Sequence, residues 1–295
     1  MTQVLAVLTK NYVLVASDRR LTFLKNGAPP TVAHDNTCKL VSLCGVWGIA
    51  YTGLAQLDGR PTHEWIAWEL AEKGCGSPYK AAQILAERAT AAVRATKLTI
   101  EQTFLIAGWA RFENGSLLPH FVIVSNAFSA DGNRKPSPGI DFVILERMLQ
   151  PDELYVPHII GQPLKPDRAQ HLHRLFRKIL SRDLSPRIPM RALAREISNT
   201  STSNSTVGES VLAFCIPRAA AAKTYQSGAS VMLAKEPDFL SPSFCYLNPE
   251  IKESKQYGPT VTCGESAMTD IETENDPSRN YQSSSMRILH MPKKR

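Results

Sequence analysis

The order of elements legible in the sequence is strands, two helices, strands, two helices and strands again. It predicts an α+β chain built as a four-layer αββα sandwich, in which two sheets face each other and a helix pair covers each outer side. Three observations carry this expectation. The first is an opening hairpin, residues 3–8 and 12–16, whose strands are apolar on both sides of the alternation and so should be covered on both faces. The second is the pairing of helix-spaced stretches, 62–73 with 79–96 and 166–181 with 190–198, each pair following β-rich sequence. The third is the turn Glu113-Asn114-Gly115 between two alternating runs, 103–110 and 117–125, a strong local hairpin signal.

Taken in order, the first hairpin turns at Lys10-Asn11, which sets Thr9 against Tyr12. Counting outward, Thr2 falls opposite Arg19 and diagonally beside Asp18. Residues 1–58 read as β throughout: the hairpin, an exposed Gly/Pro-rich connection and two more strands divided near Cys44-Gly45. In THEWIAWELAEK the helix starts at Pro61-Thr62, and Trp65, Ile66, Ala67, Glu69 and Leu70 fall at helical spacing before Gly74 and Gly76 stop it. Ser77 then serves as N-cap, and Pro78 as first position, of a long alanine-rich helix. Shorter strands at 141–145 and 155–160 follow the loop ADGNRKPSPG. After the second helix pair comes the low-complexity link NTSTSNST, and VLAFCIP and ASVMLA close the sheets. These elements make one domain over residues 1–235. Residues 236–295 read as a polar, largely disordered C-terminal tail, rich in Pro, Ser, Glu, Asn and Lys and pinned locally at 244–247 or 286–291.

Composition narrows the function classes. At 295 residues and 43% hydrophobic the chain can bury a full core, and it contains no apolar run long enough to span a membrane. The start, MTQVLAVLTKNY, lacks a basic n-region and a cleavage site, so a cytoplasmic protein is expected. The six cysteines show no C-x-x-C pair and are expected as free thiols. Net charge is +7, and residues 165–195 alone carry nine Lys/Arg against two Asp, so the remainder is formally neutral. The basicity is therefore local. It reads as an amphipathic surface helix with Leu172, Leu175, Phe176 and Ile179 inward, not as a nucleic-acid footprint. His171 and His173, two apart in that helix, point to different sides and do not suit a shared metal. With neither a P-loop nor a dinucleotide glycine fingerprint, no cofactor is expected.

Chemistry concentrates at the beginning of the chain. Removing Met1 would expose on Thr2 a hydroxyl and an α-amine that titrates near pH ~7.7–8.0 in a model peptide, so the amine can act as general base for the hydroxyl of its own residue. Lys39 opens the strand-like run KLVSL and Gly53 follows VWGIAYTG, so both could reach the mouth of the hairpin beside Asp18.

Thr2, Asp18 in VASDRR, Lys39 before an apolar strand and Gly53 in AYTGLAQ together form a pattern that resembles the proteasome β-type subunits and their bacterial relatives, the N-terminal nucleophile hydrolases. The likeness extends over residues 2–234, and the αββα sandwich is also the fold it implies. The Asp-to-Lys interval is longer than the family's by about five residues, within NGAPPTVAHDN, a turn-rich segment where insertions are tolerated.

The resemblance implies roles. Thr2 Oγ attacks a carbonyl carbon, Lys39 is held as ammonium by Asp18, and the Gly53 N–H donates to the developing oxyanion, a contribution on the order of 3 kcal/mol in other hydrolases. It places Leu21, Thr37, Val41, Tyr51 and Ala55 around the substrate residue before the cut, a mainly apolar set suited to an apolar or small side chain. It implies a polypeptide substrate, a homo-oligomer of stacked rings and an ATP-driven unfoldase as a possible partner. The family's later Ser, Asp and second Ser align with Gln162, Asn204 and Val207, a departure from the pattern. The expectation is a threonine-type endopeptidase activated by loss of Met1. The alternatives are an amidohydrolase acting on a small amide and a catalytically silent assembly or interaction subunit.

Overall fold

The computed structural model describes residues 2–23, 31–35, 37–73, 77–96, 100–182, 185–227, 243–247, 254–255, 260–261, 267–273 and 284–290. The chain begins with strands β1 (Gln3–Thr9), β2 (Tyr12–Asp18), β3 (Leu21–Phe23), β4 (Thr31–His34), β5 (Leu40–Leu43), β6 (Trp47–Thr52), β7 (Gln56–Leu57) and β8 (Arg60–Pro61). Helices α1 (Thr62–Lys73) and α2 (Pro78–Thr96) follow, then β9 (Thr103–Arg111), β10 (Leu117–Ser125), β11 (Val143–Met148) and β12 (Tyr155–Gly161). Next come α3 (Pro166–Leu180), α4 (Arg187–Ser201), β13 (Val211–Pro217) and α5 (Arg218–Ser227). Last are β14 (Ser243–Leu247), β15 (Ser254–Lys255), β16 (Thr260–Val261), β17 (Ala267–Thr273) and β18 (Ser284–His290).

One sheet runs β12-β1-β2-β13-β14-β15 and the other β11-β10-β9-β6-β5-β16-β17-β18. The strands β1 and β2 of the first lie against β6, β9 and β10 of the second, while α3 and α4 cover the first sheet and α1 and α2 the second. The fold is a four-layer αββα sandwich.

Both faces of the first hairpin are buried because each faces a different layer. Val4, Ala6, Leu8, Val13 and Val15 join Leu212, Phe214 and Ile216 in the core between the sheets. Leu5, Val7, Leu14 and Ala16 join Val211, Ala213 and Cys215 beneath Phe176, Met190, Leu193 and Ile197 of the helical layer. The register places Val4 opposite Ser17 and Leu8 opposite Val13, centred on Lys10-Asn11. Thr9 Oγ1 closes the turn, donating to the Tyr12 carbonyl at 2.6 Å and accepting from its N–H at 3.0 Å.

Helix starts follow the sequence signals. Ser77 Oγ accepts from Lys80 N at 3.1 Å ahead of Pro78, and Thr62 Oγ1 donates to the Leu54 carbonyl at 2.7 Å, which anchors α1 to the loop after β6. The expected stop at Gly74 and Gly76 and the ASVMLA strand lie outside the described residues. Helix α4 begins at Arg187 and reaches Ser201, so the first residues of the NTSTSNST link are helical. α5 is an addition to the sequence reading. Its four successive alanines supply the helix propensity, and Arg218 N donates to the Asn11 carbonyl at 2.9 Å.

Two further expectations need comment. Cys38 and Cys215 are thiols, but Cys44 is disulfide-bonded, which corrects the expectation of a thiol there. Cysteine spacing along a chain is silent about which strands a fold sets side by side. Within the segment read as a largely disordered tail, β14 pairs with β13, Leu247 opposite Val211, and β16 runs parallel to β5. The rest of that segment lies outside the described residues.

Candidate active site

Four segments meet where the two sheets open at one end. Thr2 immediately precedes β1, and its carbonyl accepts from Gln162 N at 2.9 Å. The seat is close-fitting: Gly161 has φ +80°, and a Cβ there would lie 2.0 Å from Thr2 O. Only glycine both adopts that backbone and leaves room for the carbonyl. Met1 lies outside the described residues.

Asp18 ends β2, is fully buried and is the acceptor on which the site converges. Its Oδ1 accepts from Gln3 N at 2.8 Å; its Oδ2 accepts from Arg20 N at 3.1 Å, Gly208 N at 3.2 Å and Lys39 Nζ at 3.0 Å. The bond from Gln3 N ties the carboxylate to the residue after Thr2. Lys39, 2% exposed, makes a second bond to the Arg20 carbonyl at 2.7 Å. Burial pushes its pKa below the ordinary lysine value, against the opposing pull of Asp18. Tyr51 OH donates to the Cys38 carbonyl at 3.1 Å beside this lysine, and burial holds the phenol well above its usual range, so it remains a donor.

Gly53 follows β6 with φ +108°, and a Cβ on it would come within 2.3 Å of the Glu101 carbonyl and 2.5 Å of Gln102 Oε1. Any side chain here would run into residues 101 and 102, so the position requires glycine on both counts.

The cleft encloses about 550 Å³. Thr2, Lys39 and Gly53 line it together, with Asp18 directly behind Lys39. Leu21, Thr37, Tyr51 and Ala55 also line it. Val41 does not. It pairs with Ile49 one step deeper on the face that carries Lys39, and its side chain is wholly in the core. That corrects its expected place in the wall: β5 begins at the rim, so two residues along it the chain has already entered the sandwich. Of the three departures from the family pattern, Gln162 lines the cleft. Asn204 Oδ1 instead accepts from Thr206 N at 3.0 Å and Thr206 Oγ1 at 2.6 Å, and the side chain of Val207 packs beneath the helices.

Several residues at the cleft escaped the sequence reading. Arg20 forks onto Asp35, Nε to Oδ1 at 2.6 Å and Nη2 to Oδ2 at 2.8 Å, while Nη1 donates to the carbonyls of Ser205 at 3.0 Å and Val207 at 3.2 Å. The bonds to Asp35 raise the arginine's pKa and lower that of Asp35, and the two sets together tie the 31–35 segment to the loop before β13. Arg134 pairs with Glu101 at 2.6 Å on the rim. Arg20 could have been suspected from its place in VASDRR and Gly161 from its place at a strand end, whereas nothing in the sequence marks Arg134.

Among the described residues no group of three His, Cys, Asp or Glu is arranged to hold a metal ion, and no helix is long and apolar enough to cross a membrane. His171 is exposed, and His173 Nδ1 meets the Tyr155 hydroxyl.

No family model and no curated protein matches the sequence. A solved structure titled as the Gly-1 mutant of Anbu from Hyphomicrobium sp. strain MC1 aligns with 72% of this chain and 80% of its own, at 15% identity and a TM-score of 0.46.

Proposed function

We propose that this chain is a proteasome-like N-terminal threonine hydrolase that cleaves peptide bonds, with Thr2 as nucleophile after removal of Met1. The observation that carries the reading is the meeting of Thr2, Lys39 and Gly53 in one cleft with the buried Asp18 behind them. Thr2 Oγ bonds to the carbonyl carbon as its proton passes to the α-amine, and the carbonyl electrons move to an oxygen that accepts from the Gly53 N–H. Collapse breaks the C–N bond, the leaving amine takes the proton, and an ester remains on Thr2. Water, deprotonated by the same α-amine, then cleaves the ester. Lys39, paired with Asp18, supplies a buried donor and positive field beside the hydroxyl.

A cleft of about 550 Å³, walled by Leu21, Tyr51, Leu54, Ala55 and Ile100, suits an apolar side chain of a polypeptide better than a small amide. A homo-oligomeric ring fed by an unfoldase belongs to this proposal as its expected setting. A second reading, a silent assembly subunit, is favoured by one observation: Asn204 and Val207 are turned away from the cleft, so neither can partner the amine of Thr2.

Intact mass with β-lactone labelling decides between the two. The proposal expects a native protein without Met1, acylated on its N-terminal peptide, and loss of peptide turnover in Thr2→Ala. A native protein that retains Met1, or a Thr2→Ala variant that turns over peptide at the original rate, ends it.

A further inference from the structure

Charged side chains line the cleft unevenly. Among the described residues Arg20, Lys39, Glu101 and Arg134 reach it, so Glu101 is the one acid at its surface. The carboxylates that balance Arg20 and Lys39 belong to Asp35 and Asp18, and neither lines the cleft. A ligand inside therefore meets the near ends of two cations whose counter-charges stand behind them. The donors of those two are largely committed: Arg20 bonds both oxygens of Asp35 and the carbonyls of Ser205 and Val207, and Lys39 bonds Asp18 and the Arg20 carbonyl. Arg134 differs. Its side chain is 60% exposed, and among the described residues its one hydrogen bond runs from Nη2 to Glu101 Oε2 at 2.6 Å. A guanidinium presents its donors as a planar fork, so the remaining N–H groups of Arg134 are open to a ligand.

The backbone that carries this pair is held on both sides. Arg134 bridges to Phe128 across a turn closed by Ser129 N to the Asn133 carbonyl at 2.9 Å, and Lys135 N donates to the Ala127 carbonyl at 2.8 Å. Asn126, fully buried at the root of the turn, joins it to the segment that carries Glu101. Its Nδ2 donates to the carbonyls of Ile100 at 3.0 Å and Gly139 at 2.9 Å, and its Oδ1 accepts from Gln102 N at 2.9 Å. The main chain of Glu101 lies against Gly53, whose added Cβ would come within 2.3 Å of the Glu101 carbonyl. Arg134 is thus braced at the Ile100 side of the cleft. A guanidinium can hold two carboxylates on separate edges, so an incoming acid adds to Glu101 without displacing it. An incoming ammonium would find only Glu101, already engaged, among cations. We infer that Arg134 is a specificity-determining residue that reads a carboxylate side chain of the peptide, at a position other than the one seated on the apolar wall. The inference rests on the reading of the cleft as a peptide site.

The test uses matched fluorogenic peptides that carry Glu, Gln or Lys in turn at each position flanking the cut. Two quantities are followed: kcat/KM on the wild type, and binding of the same peptides to Thr2→Ala, which needs no turnover. At one position Glu is expected to exceed its isostere Gln by about 5- to 10-fold, the size of a charge-assisted bond at a partly exposed site, and to exceed Lys by more. The advantage shrinks in added salt, because the arginine is exposed. Arg134→Gln brings the Glu-to-Gln ratio to within about twofold of unity, and Arg134→Glu turns the preference toward Lys. Glu101→Gln, which removes the competing acid, widens the ratio. Parity of Glu and Gln in the wild type, a preference that persists in Arg134→Gln, or a ratio that fails to widen in Glu101→Gln overturns the inference while leaving the proposed function intact. Should Arg134→Gln fail to fold, the Glu101→Gln comparison decides by itself. A wild type that turns over no peptide removes the catalytic reading, and binding then decides alone: Glu above Gln sustains the inference, and parity or no binding overturns it.

Discussion

Replacing Lys39 by Met removes the ammonium while keeping most of the side-chain length, and the consequence can be worked from the site. Asp18 would be left fully buried without its cation, retaining three backbone donors, Gln3 N at 2.8 Å, Arg20 N at 3.1 Å and Gly208 N at 3.2 Å. Breaking a buried pair on one side costs about 3–5 kcal/mol, and the remaining donors put this one near the lower bound, about 3 kcal/mol. The Arg20 carbonyl also loses its 2.7 Å donor, which adds about 1 kcal/mol. A total of about 4 kcal/mol lowers the melting temperature by roughly 8–16 °C in a domain of this size. Calorimetric melting of wild type and Lys39→Met at neutral pH, in low salt and in 0.5 M NaCl as about three times physiological ionic strength, measures it. Because the pair is buried at 3% and 0% side-chain exposure, the deficit should not shrink with salt. A variant that melts within about 2 °C of wild type would refute the reasoning, as would a deficit that added salt abolishes.

Two other outcomes are expected. Gly161→Ala places a methyl 2.0 Å from Thr2 O at a backbone φ of +80°, so Thr2 must shift. A left-handed penalty of about 1–2 kcal/mol accompanies a loss of β-lactone labelling, and normal labelling in this variant would refute the close-fitting seat. His158 is held at a pKa of about 4 by burial, below its ordinary 6.5, so between those values the unfolded chain binds more protons than the folded one and stability falls as pH drops from 6.5 toward 4. That is worth about 3 kcal/mol at the acid end, so denaturant titrations across this window should show His158→Phe losing less stability than wild type, and parallel curves would count against it.

The fold was legible because its clearest signal lay in one hairpin: strands apolar on both sides require two covering layers, and a two-residue turn fixes their pairing. The same hairpin predicted that Thr2 and Asp18 would be neighbours, and Gln3 N does bond to Asp18. Lys39 was legible because it opens a strand, where a long polar side chain can enter the sandwich from its end. Val41 was misplaced because the resemblance carries over a position along the chain and not the depth its strand has reached in this sandwich. Gln102 was beyond sequence reading, since its partner Leu54 lies 48 residues away and nothing local distinguishes a buried glutamine from an exposed one. Asp35 sits in the segment that looked like a tolerated insertion, yet its carboxylate grips Arg20. Pairing across such intervals is a property of the assembled sandwich.

Thr2 lines the cleft from the head of a strand that is flanked on both sides, by β12 and by β2. A polypeptide fused ahead of Thr2 would start from the cleft wall and, on the proposed function, would compete with a ligand for that space. Affinity handles and reporter proteins for this molecule belong away from the amino end. On the proposed function, a preparation carrying one there would show no turnover.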